Sequence, residues 1–160
     1  MTTEIEMQGI VLLKEEKIHE FNKWRLNNLN VIPRLNEEFS GKNLSGAFLN
    51  GVIACNVDFS NSNLTGTNFT QAELTGSNFQ DSILQKSLLM YTDMSECNFK
   101  NSNLEDANFM WSKLRNSNFE GCKMIRTIFV EADLTNANFR GIDKKNIFLK
   151  FAKMDSVIWN

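Results

Sequence analysis

One histidine, three cysteines and 19 carboxylates are the side chains in this 160-residue chain best suited to chemistry. Their spacing gathers almost none of them. His19 stands beside Glu20, and no second histidine exists. A metal centre or a His-dependent triad needs several convergent groups, so the sequence predicts no metal ligand, no catalytic residue and no cofactor. Cys55, Cys97 and Cys122 form no CxxC pair and leave one over in any pairing. Reduced thiols in a cytoplasmic protein are the simplest account. Cys55 has no His or Arg placed to lower its pKa, and Cys97 and Cys122 fall at small positions that read as packing. No phosphate-binding glycine loop is present. An enzyme is not expected.

Charge excludes further classes. The formal net charge is −2, and Lys and Arg are spread along the chain, so no basic stripe offers phosphate neutralisation for direct nucleic-acid binding. The start, MTTEIEMQ, is acidic, and no secretory signal is expected. The longest apolar run, Ile10 to Leu13, is far too short for a membrane span.

What orders the chain is a period of five. Stepping from Phe39 gives Leu44, Leu49, Ala54, Phe59, Leu64, Phe69 and onward to Met154 and Trp159. Of those 25 positions, 23 are Leu, Phe, Met or Trp; only seven other such residues occur from 39 onward. Two residues earlier sits a small side chain (Ser62, Thr67, Ala72, Ser77), and the position between is often Asn or Asp. Five fits neither the helical period of 3.6 nor the strand period of 2. It fits a chain that turns a corner in every repeat, with one small and one large residue inward. Gly and Asn after the large residue (Gly46, Gly66, Asn101, Asn136) suit the corner because they tolerate unusual φ.

At these residues the sequence resembles the pentapeptide repeat family, whose pattern is a small residue, Asn or Asp, Leu or Phe, then two variable positions. The resemblance implies an all-β solenoid, a right-handed quadrilateral β-helix of four repeats per coil. About six coils at roughly 4.8 Å make a rod on the order of 30 Å long. Twenty residues per coil stack Phe59, Phe79, Phe99, Phe119 and Phe139 in one column and Leu44, Leu64, Leu84 and Leu104 in the next. A buried phenol would lack a partner, which accounts for 13 Phe against 1 Tyr. Asn78, Asn98, Asn118 and Asn138 should form an amide ladder outside the Phe column. Ala54 leaves a gap that Val52 and Val57 partly fill. Lys144 replaces a Leu, and its stem is expected along the interior with its amine in solvent.

Two units follow: residues 1–38 as an N-terminal segment and 39–160 as the β-helix. A helix is expected over about 14–29, with Ile18, Phe21 and Leu29 on one face and Pro33 ending it. It reads as a cap over the first coil or as a partner-binding element. At the other end Trp159 either folds over as a lid or meets a second molecule. The family resemblance implies a possible homodimer through the C-terminal coil.

Outward apolar residues are the informative ones. They gather on the third wall: Met90, Met110 and Val130 in consecutive coils, Tyr91 and Trp111 beside them, Phe151 beyond, and Leu88, Ile128 and Phe148 on the other edge. Asp93, Lys113, Asp133 and Lys153 flank one side, and Lys86, Asp106 and Arg126 the other. Such a patch, on the order of several hundred Å², marks a contact surface. Its occupant is a protein partner of unknown identity, a second copy, or residues 1–13. The first functional reading is therefore a non-enzymatic interaction scaffold. The family offers an alternative: some members mimic DNA, bind DNA gyrase and protect against quinolones or toxins. Mimicry needs net negative charge, whereas residues 39–160 carry 12 Lys and Arg against 12 Asp and Glu.

Overall fold

The computed structural model describes residues 3–36 and 38–160. From Phe39 onward the backbone repeats one conformation every five residues. The second residue after each large side chain has a left-handed φ, between 55° and 79°, at 41, 46, 51 and every fifth position through 141, then at 151 and 156. Each such corner starts a new wall, and four corners close a coil. Parallel bridges then join residues twenty apart, as in Asn43↔Asn63, Asn63↔Ile83 and Ile83↔Asn103. Leu44 N–H donates to Asn63 C=O at 2.8 Å, and Asn63 N–H returns to Lys42 C=O at 2.9 Å. The chain is a right-handed quadrilateral β-helix with an N-terminal helical cap.

The interior explains the sequence rule. Leu44, Leu64, Leu84 and Leu104 are fully buried. Phe79, Phe99 and Phe119 stack with ring centroids 5.1 and 4.9 Å apart, while Phe109 meets Phe99 edge-on at 5.7 Å. The buried hydroxyls at the small positions are satisfied by backbone carbonyls: Ser87 Oγ donates to Leu84 C=O at 2.7 Å and Thr67 Oγ1 to Leu44 C=O at 2.9 Å. Asparagine between them works in two directions. Asn98 Oδ1 accepts the Lys100 N–H at 3.1 Å, closing the local turn, and Asn98 Nδ2 donates to Asn78 Oδ1 at 3.1 Å. Asn118 and Asn138 continue the ladder at 3.3 and 3.0 Å. Ala54, Val52 and Val57 are all buried, in keeping with mutual filling.

The N-terminal segment differs from the single helix expected over 14–29. It is a hairpin of α1 (Glu4–Lys14) and α2 (Ile18–Asn27). Thr3 and Glu6 form a reciprocal capping box that starts α1. Gly9 lets the helices approach closely, since a Cβ there would lie 2.4 Å from the Trp24 ring. Phe21 is buried as expected, but Leu29 lies beyond α2 and is exposed. The solenoid also starts earlier than residue 39: Arg34 bridges Ile53, and Leu35 is buried.

The hairpin acts as a surrogate coil. In later coils the N–H at the Asn position donates to the coil before. Coil one has no predecessor, so polar side chains take its place. Glu16 accepts the Asn43 N–H at 3.0 Å, Asn22 accepts the Phe48 N–H at 2.8 Å, and Asn22 Nδ2 donates to Gly46 C=O at 2.9 Å. Arg25 Nη2 donates to Asn50 C=O at 3.0 Å. An open strand edge is thereby closed.

The last coil ends differently. Trp159 continues the Phe column, 5.0 Å from Phe139, and is half-buried. Lys144 does not enter the interior. Residues Lys144–Asn146 form a 3-10 turn that swings it outward, exposed, with Nζ 4.1 Å from the centroid of the Trp159 ring. The cation–π contact and the turn replace the expected buried stem.

Candidate functional site

The potentially reactive side chains are placed apart. His19 is exposed on α2. Among the described residues no group of three or more His, Cys, Asp or Glu is placed to hold a metal ion, and no helix is long and apolar enough to cross a membrane. Cys97 and Cys122 are buried, with thiols directed at Leu74 C=O (3.0 Å) and Phe99 C=O (2.8 Å). Burial pushes the Cys122 thiol up to about 12 and Cys97 higher still. Cys55 is exposed.

The third wall brings together the residues singled out in the sequence. Parallel bridges align Leu88 with Asn108, Asn108 with Ile128, and Ile128 with Phe148 along one edge. Tyr91 N–H donates to Met110 C=O and Trp111 N–H to Val130 C=O, each at 3.1 Å, which fixes the other edge. Tyr91 and Trp111 stack at 4.8 Å with 11° between ring planes. Tyr91 is 53% exposed, Trp111 40%, Phe148 54% and Phe151 74%. Met90, Met110, Ile128 and Val130 are half-buried between them. An open groove of about 510 Å³ runs along Met110, Ile128, Val130 and Phe148, and its floor includes Ile147 and Leu149. Those two floor residues were not among the sequence candidates because their side chains count toward the core.

Tyr91, Trp111 and Phe151 occupy left-handed corners, at φ 57°, 58° and 61°. Gly or Asn is cheaper there, since a bulky residue in that region costs about 1–2 kcal/mol. Packing inside the coil does not call for these rings, because the corner side chains point outward.

Residues 3–13 do not cover the wall. They form α1, whose Ile10 and Leu13 are buried with the N-terminal core; residues 1 and 2 lie outside the described residues. The polar coil carrying Asn68, Thr70 and Gln71 bounds the patch on that side. The column of Asp93, Lys113, Asp133 and Lys153 lies past the corner, on the fourth wall, while Lys86, Asp106 and Arg126 stand at the corner entering the third. Several of these charges are paired along the rod: Lys113 with Asp93 at 3.2 Å, Arg126 with Asp106 at 2.6 Å, and Asp133 with the neighbouring Arg115 at 2.6 Å.

The family comparison agrees with the five-residue rule. The family model for pentapeptide repeats matches eight copies, over residues 38–71, 56–89, 92–129 and 102–141. Among solved structures, a pentapeptide repeat protein from the Arabidopsis thaliana thylakoid lumen is 31% identical, over 66% of this chain and 70% of its own, with a TM-score of 0.33. HetL from the cyanobacterium Nostoc, involved in heterocyst differentiation regulation, is 20% identical over 78% and 73%, TM-score 0.43. QnrB1, a plasmid-mediated fluoroquinolone resistance protein, is 14% identical over 76% and 88%, TM-score 0.44. No curated protein matches the sequence. With the repeat model covering more than half of its residues and the coil geometry following the same five-residue rule, the chain belongs to the pentapeptide repeat family.

Proposed function

We propose that this protein is a non-enzymatic interaction scaffold, a rigid rod whose third wall binds another protein surface. The observation that carries this reading is the apolar patch from Leu88 to Phe151, interrupted at Asn108, Glu131 and Lys150, with three aromatic rings held at corners where glycine would be less strained. Aromatic and Met side chains are enriched in the cores of protein interfaces, and their outward placement on this wall has no role in folding the coil. The three unpaired cysteines fit a reducing compartment such as the cytoplasm.

Capture from a lysate of the native host, with Trp111→Glu as control, tests the reading. A partner retained by the natural protein and lost by the variant, with the fold intact, supports it. Equal capture by both sets the wall aside. The competing role, DNA mimicry toward gyrase, is disfavoured by the neutral rod. Among its acids Asp93, Glu105, Asp106, Glu120 and Asp133 each carry a neighbouring cation, which weakens any likeness to a row of phosphates. Strong inhibition of supercoiling, or quinolone protection, by the purified protein would reverse this order.

A further inference from the structure

We propose that the third wall binds a second copy of this chain, with the two rods antiparallel and side by side. This rests on the reading of the wall as a contact surface and names its partner. The inference comes from self-complementarity. Consider a two-fold axis lying in the wall, across the rod, between the coil of Met110 and the coil of Val130. It reverses coil order and sets each column against itself. Leu88 then faces Phe148 of the second copy, Tyr91 faces Phe151, and Met110 faces Val130. The corner charges also match: Asp106 faces Arg126, and Arg126 faces Asp106.

The polar interruptions fall into place as well. Glu131, which has no ion pair among the described residues, breaks the aromatic column between Trp111 and Phe151. It faces Trp111, whose indole N–H is a donor. Asn108, the gap in the other edge, faces Ile128.

Register is selective. Moving the axis onto the Met110 coil sets Asp106 against Asp106 and Arg126 against Lys86. Moving it onto the Val130 coil sets Arg126 against Arg126. A two-coil shift toward the N-terminus restores unlike charges, but places Ile128 and Val130 opposite Asn68 and Thr70. The first register alone pairs unlike charges while setting Leu88, Tyr91 and Met110 against apolar residues; Met90 faces Lys150 and Ile128 faces Asn108. It overlaps the four coils whose third wall runs from Leu88 to Phe151, and leaves outside the polar Asn68 coil and the capped first coil, where Phe48 is also 37% exposed.

The overlap is small. Four coils at roughly 4.8 Å and a wall roughly 15 Å wide give on the order of 300 Å² from each copy. The two copies together bury about 600 Å², below the roughly 1,000 Å² of stable specific interfaces, so the dimer is transient and dissociates on dilution.

Sedimentation velocity over a concentration series reaching the high micromolar range tests this. The natural protein should show reversible monomer–dimer exchange. Asp106→Arg and Arg126→Asp each create two like-charge contacts by symmetry and should weaken self-association at least about tenfold. Asp106 and Arg126 also pair within one chain at 2.6 Å, so either swap lowers the melting point modestly; unchanged circular dichroism confirms the fold, and the equal mixture separates the two effects because it restores only the contacts between copies. Mixed in equal amounts, the two variants should dimerise again, because each supplies the charge the other lacks. A monomer at every concentration overturns the proposal. So does a dimer indifferent to both swaps, or one abolished by Trp159→Asp at the C-terminal coil. A monomer that still captures a host protein through Trp111 retires the dimer and leaves the interaction scaffold standing.

Discussion

Replacing Phe99 by Ala tests the stacked core at its middle. Phe99 is fully buried, lies 5.1 Å from Phe79 and 4.9 Å from Phe119, and meets Phe109 edge-on at 5.7 Å. Losing a buried ring costs about 3–5 kcal/mol, combining transfer and cavity contributions, and the aromatic pairs push the value toward the upper end. Backbone hydrogen bonds of 2.7 Å, from Phe79 N–H to Asn98 C=O and from Phe99 N–H to Asn118 C=O, fix the spacing of the coils at this column, so the cavity has little means to collapse. For a domain of this size such a loss lowers the melting midpoint by roughly 6–20 °C. Each coil touches only its neighbours, so a weak middle also loosens coupling between the two halves and lowers the denaturant m-value. Phe148→Ala is the control: its ring is 54% exposed and its removal should cost less than about 1 kcal/mol. Urea titrations of both variants, followed by circular dichroism, read the difference. Equal losses for Phe99→Ala and Phe148→Ala would refute the stacked interior.

Other outcomes follow from the same structure. Asn22→Ala leaves the Phe48 N–H and the Gly46 C=O of coil one without their side-chain partner; a loss of about 1–3 kcal/mol in urea unfolding is expected, and no loss would deny the hairpin its capping role. A thiol reagent should modify one cysteine of the folded protein, the exposed Cys55, and all three after denaturation; rapid modification of three in the native state would contradict the buried positions. Hydrogen bonds and charge from Arg126, Lys123 and Lys100 hold Asp106, Glu105 and Glu120 below their ordinary values of 3.8, 4.5 and 4.5. Because the folded-state values are depressed, this stabilisation is complete above the unfolded values and is lost as pH falls through the folded ones. Melting temperature should therefore be flat above pH ~5 and decline below it, less steeply in high salt; a decline on raising pH from neutral would contradict the pairing.

How much of this was legible in the sequence depends on the range of the interactions involved. The five-residue period fixes which side chains point inward, and twenty residues per coil then fixes the columns. The Asn78–Asn138 ladder and the third-wall patch were therefore readable from residue numbers. α1 was not identified, although Thr3 and Glu6 carry its start signal. Ile5, Met7 and Val11 are exposed while Ile10 and Leu13 are buried, so apolar residues surround much of that helix and its buried face is not distinct. The capping roles of Glu16 and Asn22 depend on where the hairpin lands against coil one, which no local pattern specifies. Extending the five-residue register places Lys144 at a core position, but the turn at Lys144–Asn146 interrupts that register, and from 41 onward position 146 alone lacks the left-handed corner. The third wall was visible in composition, whereas the strained corners under its rings required the backbone.

The arrangement of the wall rests on Tyr91 and Trp111 lying one above the other in adjacent coils, twenty residues apart. The chain has 1 Tyr and 3 Trp, so a nuclear Overhauser spectrum in solution resolves the contact directly. Strong cross-peaks should connect the tyrosine ring protons to one indole, at the 4.8 Å ring separation, and Trp111→Phe should remove those indole signals. A tyrosine ring with no indole contact, in a protein that is otherwise folded, would place the two residues on different faces and leave no continuous wall.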